Sequence, residues 1–292
     1  MRNHFYKIGL LVLSLVLNSC IEPFSPPEIN SPQRYLVVDG FVNASNDTSR
    51  ITLSHTLNTN DENKFSVEPG ANLTLESERG EVYAFTEEST GNYVLPPVNI
   101  SDTDKYRLRI KRNSGQEYLS EYVQVNATPP IDSIGYYYDE GRDAMVIKAN
   151  THDSKGSTRF YRWKFEETYQ YRSAYHSSLV YNPVTKKIDG RTDNISVCWA
   201  TKKSNTIILG STIKLTSDII KDLPIHIVPV NTNKLYIKYS ILVKQYGLSQ
   251  EEFEYWTSLS KSTQGTGSLF DPQPSQVTGN VKNVADAKEL VF

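Results

Sequence analysis

Apolar and polar side chains alternate with a period of two through much of this chain. That period admits little besides β-strand with one face buried. Tyr106, Leu108 and Ile110 alternate with Arg107, Arg109 and Lys111, and Leu73 and Leu75 alternate with Thr74 and Glu76. Further strands are expected at 36–42 (with Gly40 as a bulge), at 51–53, at 82–85 after the turn Arg79-Gly80, at 93–95 after Gly91-Asn92, and at 119–125. Seven short strands separated by regularly spaced turn signals predict a β-sandwich over residues 35–126.

Asn126-Ala127-Thr128-Pro129-Pro130 marks a domain boundary, because two consecutive prolines end strand pairing and stiffen the connection. Residues 131–292 are expected to form a second β-rich domain. A hairpin around Gly141 joins strands at 134–138 and 145–149. Tyr161, Trp163 and Phe165 share one face of a strand, and Arg162, Lys164 and Glu166 share the other. Residues 172–194 read as a polar loop, 195–200 as a strand, and 235–246 as a long strand. One helix interrupts the pattern. Ser249-Gln250-Glu251-Glu252 is a capping box, followed by Phe253, Trp256 and Leu259 at helical spacing. A helix over about 250–262 should lay that stripe on the second sheet. The fold class is therefore mainly β, with two sandwich-like domains and a single amphipathic helix.

The N-terminus carries an address. Arg2 and Lys7 precede an apolar run from Ile8 to Leu17, and Leu17-Asn18-Ser19-Cys20 closes it as a lipobox. A run of ten residues falls short of the roughly 20 that span a bilayer, so residues 1–19 read as a lipoprotein signal peptide. Cys20 would become the acylated first residue of the mature chain. Residues 20–34 contain Pro23, Pro26, Pro27 and Pro32 and form a stiff tether. Extended as polyproline II, thirteen residues span roughly 40 Å. Loss of Arg2 and Lys7 moves the formal charge from -2 to -4. A weakly acidic chain without a basic block gives no electrostatic case for nucleic acid. Membrane attachment should then be covalent, and the expected location is the cell envelope. With Cys20 lipidated, Cys198 has no internal disulfide partner; its apolar neighbours Val197 and Trp199 suggest a buried thiol.

Motifs that carry chemistry are missing. His55, His152, His176 and His226 are scattered, without zinc-ligand spacing, and no nucleophile elbow or phosphate loop is present. No metal or cofactor is expected. Aromatics are more suggestive, with 19 Tyr and 3 Trp. Tyr137, in the run Tyr136-Tyr137-Tyr138, and Tyr169, Tyr171, Tyr175 and Tyr181 are the candidate contacts for a glycan, peptide or protein partner. Filling of the sandwich is the competing role for such rings.

Several segments together resemble domain-of-unknown-function family 4249, lipoproteins of Bacteroidota-type bacteria. They are the lipobox, Leu36-Val37-Val38-Asp39-Gly40, Pro129-Pro130-Ile131-Asp132-Ser133, Tyr161-Arg162-Trp163, Cys198-Trp199, Gln245-Tyr246-Gly247-Leu248-Ser249, and the stretch from Gly267 to Val281. Locally, Pro69-Gly70-Ala71, Gly80 and Gly91-Asn92-Tyr93 resemble the carboxypeptidase-regulatory type of Ig-like domain. The family resemblance implies an outer-membrane lipoprotein encoded beside a TonB-dependent receptor, and it supplies no catalytic residue. It also implies more strand beyond Phe292, so a shortened second domain is expected. The function expected is non-enzymatic: an accessory or ligand-binding partner of a TonB-dependent transporter. A glycan-binding or adhesin module and a polysaccharide hydrolase are the alternatives.

Overall fold

The computed structural model describes residues 34–45, 47–57, 66–265 and 277–292. Cys20, the tether and most of the Gly267-to-Val281 stretch lie outside the described residues. The described residues are mainly β, with antiparallel pairing throughout the named strands and one α-helix among them.

The N-terminal part contains β1 (Leu36–Phe41), β2 (Ser49–His55), β3 (Asn72–Ser77), β4 (Val82–Ala84), β5 (Thr86–Ser89), β6 (Asn92–Leu95), β7 (Lys105–Lys111), β8 (Glu117–Ser120) and β9 (Val123–Gln124). One sheet has the order β1-β2-β6-β5; in the other, β8-β7-β3-β4 are neighbours and β9 also pairs with β7. The alternating residues meet between the sheets, where Leu36, Leu53, Leu73, Ile110 and Tyr118 are almost fully enclosed. Leu75, Leu95, Ile100 and Tyr106 fill a second pocket of this core. Gly40 is not a bulge: the β1–β2 register is unbroken. A Cβ there would sit 2.3 Å from the Arg50 carbonyl oxygen, so the glycine serves the close approach of β2.

The second part contains β10 (Ile131–Asp139), β11 (Ala144–His152), β12 (Phe160–Arg172), β13 (Leu179–Asn182), β14 (Lys187–Gly190), β15 (Val197–Lys203), β16 (Ile208–Ser211), β17 (Ile219–Pro229) and β18 (Lys238–Leu248), then α1 (Gln250–Thr263). β10-β11-β17 form one sheet. In the other, β12 is central: β18 runs along one edge, and β15 and β16 share the other. Ala149, Tyr161, Trp163, Phe165, Ile220 and Ile225 pack between the two sheets. The buried Trp163 indole donates to Gln245 Oε1 at 2.8 Å, and Gln245 Nε2 donates to the Pro129 carbonyl and Thr151 Oγ1. The Ala127 carbonyl accepts from Thr158 Oγ1, and Thr128 Oγ1 accepts from the Gly247 amide. The diproline connection is thus stapled to the second sandwich by side-chain hydrogen bonds as well as stiffened by its prolines.

Three sequence expectations change here. The long strand begins at Lys238, because Asn233–Leu235 is a 3-10 turn. β17 was not expected, since Pro224 interrupts its run. Proline is tolerated there because β17 lies at a sheet edge and the register with β11 shifts between Ile147 and Lys148. Cys198 is half-buried rather than buried, with Sγ 3.7 Å from the Ile195 carbonyl.

The helix forms where its capping box predicts. Ser249 Oγ accepts from the Glu252 amide, and the Glu252 carboxylate accepts from the Ser249 amide. Phe253 packs on Phe160, with ring centroids 4.9 Å apart, and Trp256 covers Arg162. None of its residues is fully buried, so the expected stripe is only partly covered.

The end of the described chain leaves the second sandwich. β19 (Val281–Asn283) pairs with β8. Phe292 donates its amide to the Leu36 carbonyl and accepts from the Val38 amide. Val291 is buried in the N-terminal core, and Tyr118 donates to Glu289. The boundary expected at 131–292 is therefore corrected: residues 281–292 belong with the first sandwich. Edge strands β1 and β8 expose backbone groups that a returning segment can pair. Val291→Ala should destabilise this sandwich by about 2 kcal/mol, at about 0.8 kcal/mol per buried CH2 plus a cavity term. Hydrogen exchange should quicken at β1 and β8 amides; unchanged protection there would show that the returning segment holds nothing together.

Candidate functional site

The tyrosines singled out by sequence divide into two groups. β12 continues to Arg172, so Tyr169 and Tyr171 lie on a strand and not in a loop. Tyr169 faces inward and is only 6% exposed, so its expected role as a surface contact is corrected to that of a core ring. Tyr171 is half-buried beside it, at a ring separation of 6.0 Å. Tyr137 is exposed on β10, with the Lys148 ammonium 5.8 Å from its ring. Tyr136 and Tyr138 are exposed as well. The edge position of β10 leaves both of its faces thinly covered.

Tyr175 and Tyr181 lie in a segment from 172 to 200 in which no residue is buried. The expected loop is here a two-stranded ribbon of β13 and β14 that joins no other sheet. Its tip is an Asx turn, where Asn182 Oδ1 accepts from the Val184 and Thr185 amides. Tyr181 stands opposite Ile188, and Leu179 opposite Gly190. Residues directly opposite share a face, so Leu179, Tyr181 and Ile188 line one side. All three are 59–69% exposed. Val180, Asn182, Lys187 and Asp189 take the other side. Tyr175, before the ribbon, and Val184, at its tip, are 87% and 89% exposed. At its base, the Arg191 amide bonds the Ser178 carbonyl and the Ser173 amide bonds the Ser196 carbonyl.

A second constellation was not read from the sequence. Glu167 occupies an inward position of β12 and is buried. One carboxylate oxygen accepts from Lys234 Nζ at 2.5 Å; the other accepts from Tyr239 OH at 3.1 Å and His226 Nε2 at 3.2 Å. Burial opposes the Glu167 charge, yet the Lys234 and Tyr239 hydrogen bonds hold its carboxyl below the usual range. Burial likewise lowers His226, whose ring lies tilted against Phe165 at a centroid separation of 4.2 Å. Burial pushes the Tyr239 phenol up, and the Glu167 charge adds to it. Both carboxylate oxygens are occupied by the protein's own donors. A general base needs an oxygen free to reach substrate, so this cluster acts as a lock within the second sandwich. The signal was present in sequence: Glu167 continues the inward series of Tyr161, Trp163 and Phe165 as its first charged member. Its partners carried no comparable mark.

Among the described residues no group of three or more His, Cys, Asp or Glu side chains is placed to hold a metal ion. The ribbon's exposed apolar face, with Leu179, Tyr181 and Ile188, is an arrangement that can contact a partner. A family model described as domain of unknown function (DUF4249) matches residues 21–292. No curated protein matches the chain.

Proposed function

This chain belongs to the DUF4249 family, and on that premise we propose a non-enzymatic recognition role, as an outer-membrane lipoprotein that docks onto a TonB-dependent transporter. The anchor is the acylated Cys20, and the docking element is the β13–β14 ribbon. The observation that carries the reading is the ribbon's unburied apolar face of Leu179, Tyr181 and Ile188. Contiguous exposed apolar surface marks interaction sites in soluble domains, and exposed Tyr is enriched among interface anchors. A closed barrel offers no free strand edge. Contact with one would use the ribbon's side chains rather than strand addition.

Gentle solubilisation of membranes should recover a barrel-sized partner with this protein, and a photocrosslinker at Val184 should capture it. The double variant Tyr181→Asp, Ile188→Asp should weaken that association by at least 30-fold, a loss of about 2 kcal/mol typical of one interface anchor. The melting temperature should not move, because the ribbon contributes to neither core. Recovery of wild-type protein alone, or equal recovery of partner by the variant, counts against the reading.

A glycan-binding module is the second reading, favoured by the three consecutive exposed rings Tyr136, Tyr137 and Tyr138 on β10. Glycan-array binding lost on Tyr137→Ala would favour it over docking through the ribbon.

A further inference from the structure

The outward face of β12 carries a second candidate site, at the end covered by α1. Arg162 lies there with its guanidinium carbon 3.2 Å from the centre of the Trp256 ring. Tyr246, across the strand pair on β18, lies close enough to interact with its charge, and so does Tyr255 of α1. Tyr246 in turn packs edge-on against Phe41 at 5.1 Å. Among the described residues the Arg162 side chain donates no hydrogen bond and joins no ion pair, and its Nε–H is sealed from solvent without an acceptor.

Among the described arginines, only Arg162 has a side-chain nitrogen that is sealed from solvent without an acceptor. The half-buried arginines of the first sandwich are matched: Arg107 and Arg109 share Glu76, and Arg112 grips Glu68 with two nitrogens. Around Arg162 the charges add up instead of cancelling. Lys164 lies two residues on, on the same face, and Lys244 stands opposite it across the β12–β18 pair. Lys203 also lies near enough to repel Lys164. Among the described residues Lys164 has no ion-pair partner. Asp39 of β1 is the carboxylate that acts on both Arg162 and Lys164, but neither forms an ion pair with it. Glu166 bounds the patch, opposite Lys203. Burial lowers Arg162 to about 10 and also lowers Lys164. A chain with net negative charge thus maintains a partly desolvated, unpaired pair of cations.

We propose that Arg162, stacked on Trp256 and flanked by Lys164, is the receptor for a carboxylate or phosphate group of a small ligand. A guanidinium set over an indole face still offers its Nη–H groups, which no acceptor among the described residues takes, to a planar or tetrahedral oxyanion. Lys164 supplies a second, mobile donor. An oxyanion would satisfy donors that the protein leaves unmatched and would offset the mutual repulsion of the two cations. The site is separate from the ribbon, so its failure leaves transporter docking untouched, and the reverse also holds.

The experiment is calorimetric titration of the full chain in non-ionic detergent with inorganic phosphate and, separately, succinate. Chloride at matched ionic strength is the control. Saturable binding of at least one oxyanion is expected, with chloride inactive; the two arms tell phosphate from carboxylate. Arg162→Lys, which keeps the charge but loses the fork, should weaken binding at least tenfold. Lys164→Gln should weaken it severalfold while leaving the far-ultraviolet circular dichroism unchanged. Wild-type protein that binds neither anion, or binding retained in both variants, overturns the proposal.

Discussion

Glu167→Ala is expected to destabilise the second sandwich by about 3–5 kcal/mol, the range for removing one member of a buried charged pair. Three donors from β17, the 3-10 turn and β18 converge on that one carboxylate. Its removal leaves the Lys234 ammonium and the His226 imidazole in a partly buried site without their acceptor. The loss should therefore exceed the value of any one hydrogen bond, about 0.5–1.5 kcal/mol net. Urea denaturation measures it. Combining Glu167→Ala with Lys234→Met should restore part of the loss, since the second change removes the stranded cation. A loss below about 1 kcal/mol, or simple additivity of the two changes, would show that the cluster is not coupled.

The same cluster sets an acid sensitivity. His226 titrates lower in the folded protein than in the unfolded chain. The unfolded state therefore binds more protons as pH falls below about 6.5, and stability declines from there. Glu167 is also lowered. Its contribution is complete above its unfolded value near 4.5 and is lost as pH falls through the folded one. Both groups act in the same direction, so the wild-type midpoint should fall from pH 7 to pH 4. The profile of Glu167→Ala should be flatter below pH 4.5, and an unaltered slope there would exclude Glu167 as a source.

Cys20→Ser should abolish membrane retention, an effect of orders of magnitude in partitioning. Each buried methylene of an acyl chain contributes about 0.8 kcal/mol, and one myristoyl chain alone binds only marginally. No described helix is long and apolar enough to cross a bilayer. A serine hydroxyl cannot form the thioether that carries the diacylglyceryl group. The variant should keep its leader or release it by a different cleavage. It should leave the envelope pellet after an alkaline wash that wild-type protein survives. Wild-type sedimentation with unchanged leader processing would refute lipidation and the docking scheme built on it.

Legibility in the sequence followed the range of the forces involved. The period of two in Tyr161, Trp163 and Phe165 placed those rings in a core, because side-chain direction along a strand is a local property of the backbone. Ser249 and Glu252 announced the helix start for the same reason, since their reciprocal hydrogen bonds span three residues. The ribbon reads as a loop in sequence because a two-stranded hairpin without a buried face carries no core-facing apolar run. Tyr169 is hidden from sequence reasoning because the buried Glu167 interrupts the apolar inward series after Phe165.

Local pattern thus determined that this chain makes sheets, which residues face inward along most of them, and where α1 begins. Only the tertiary structure decided which strands meet. Glu167 finds its donors 59 to 72 positions away, Phe292 returns to pair with Leu36 and Val38, and Arg162 lies against the Trp256 ring with no acid paired to it among the described residues. Strand order and register minimise the exposed apolar faces and unpaired edges of the whole chain at once. No short window of residues contains that minimum.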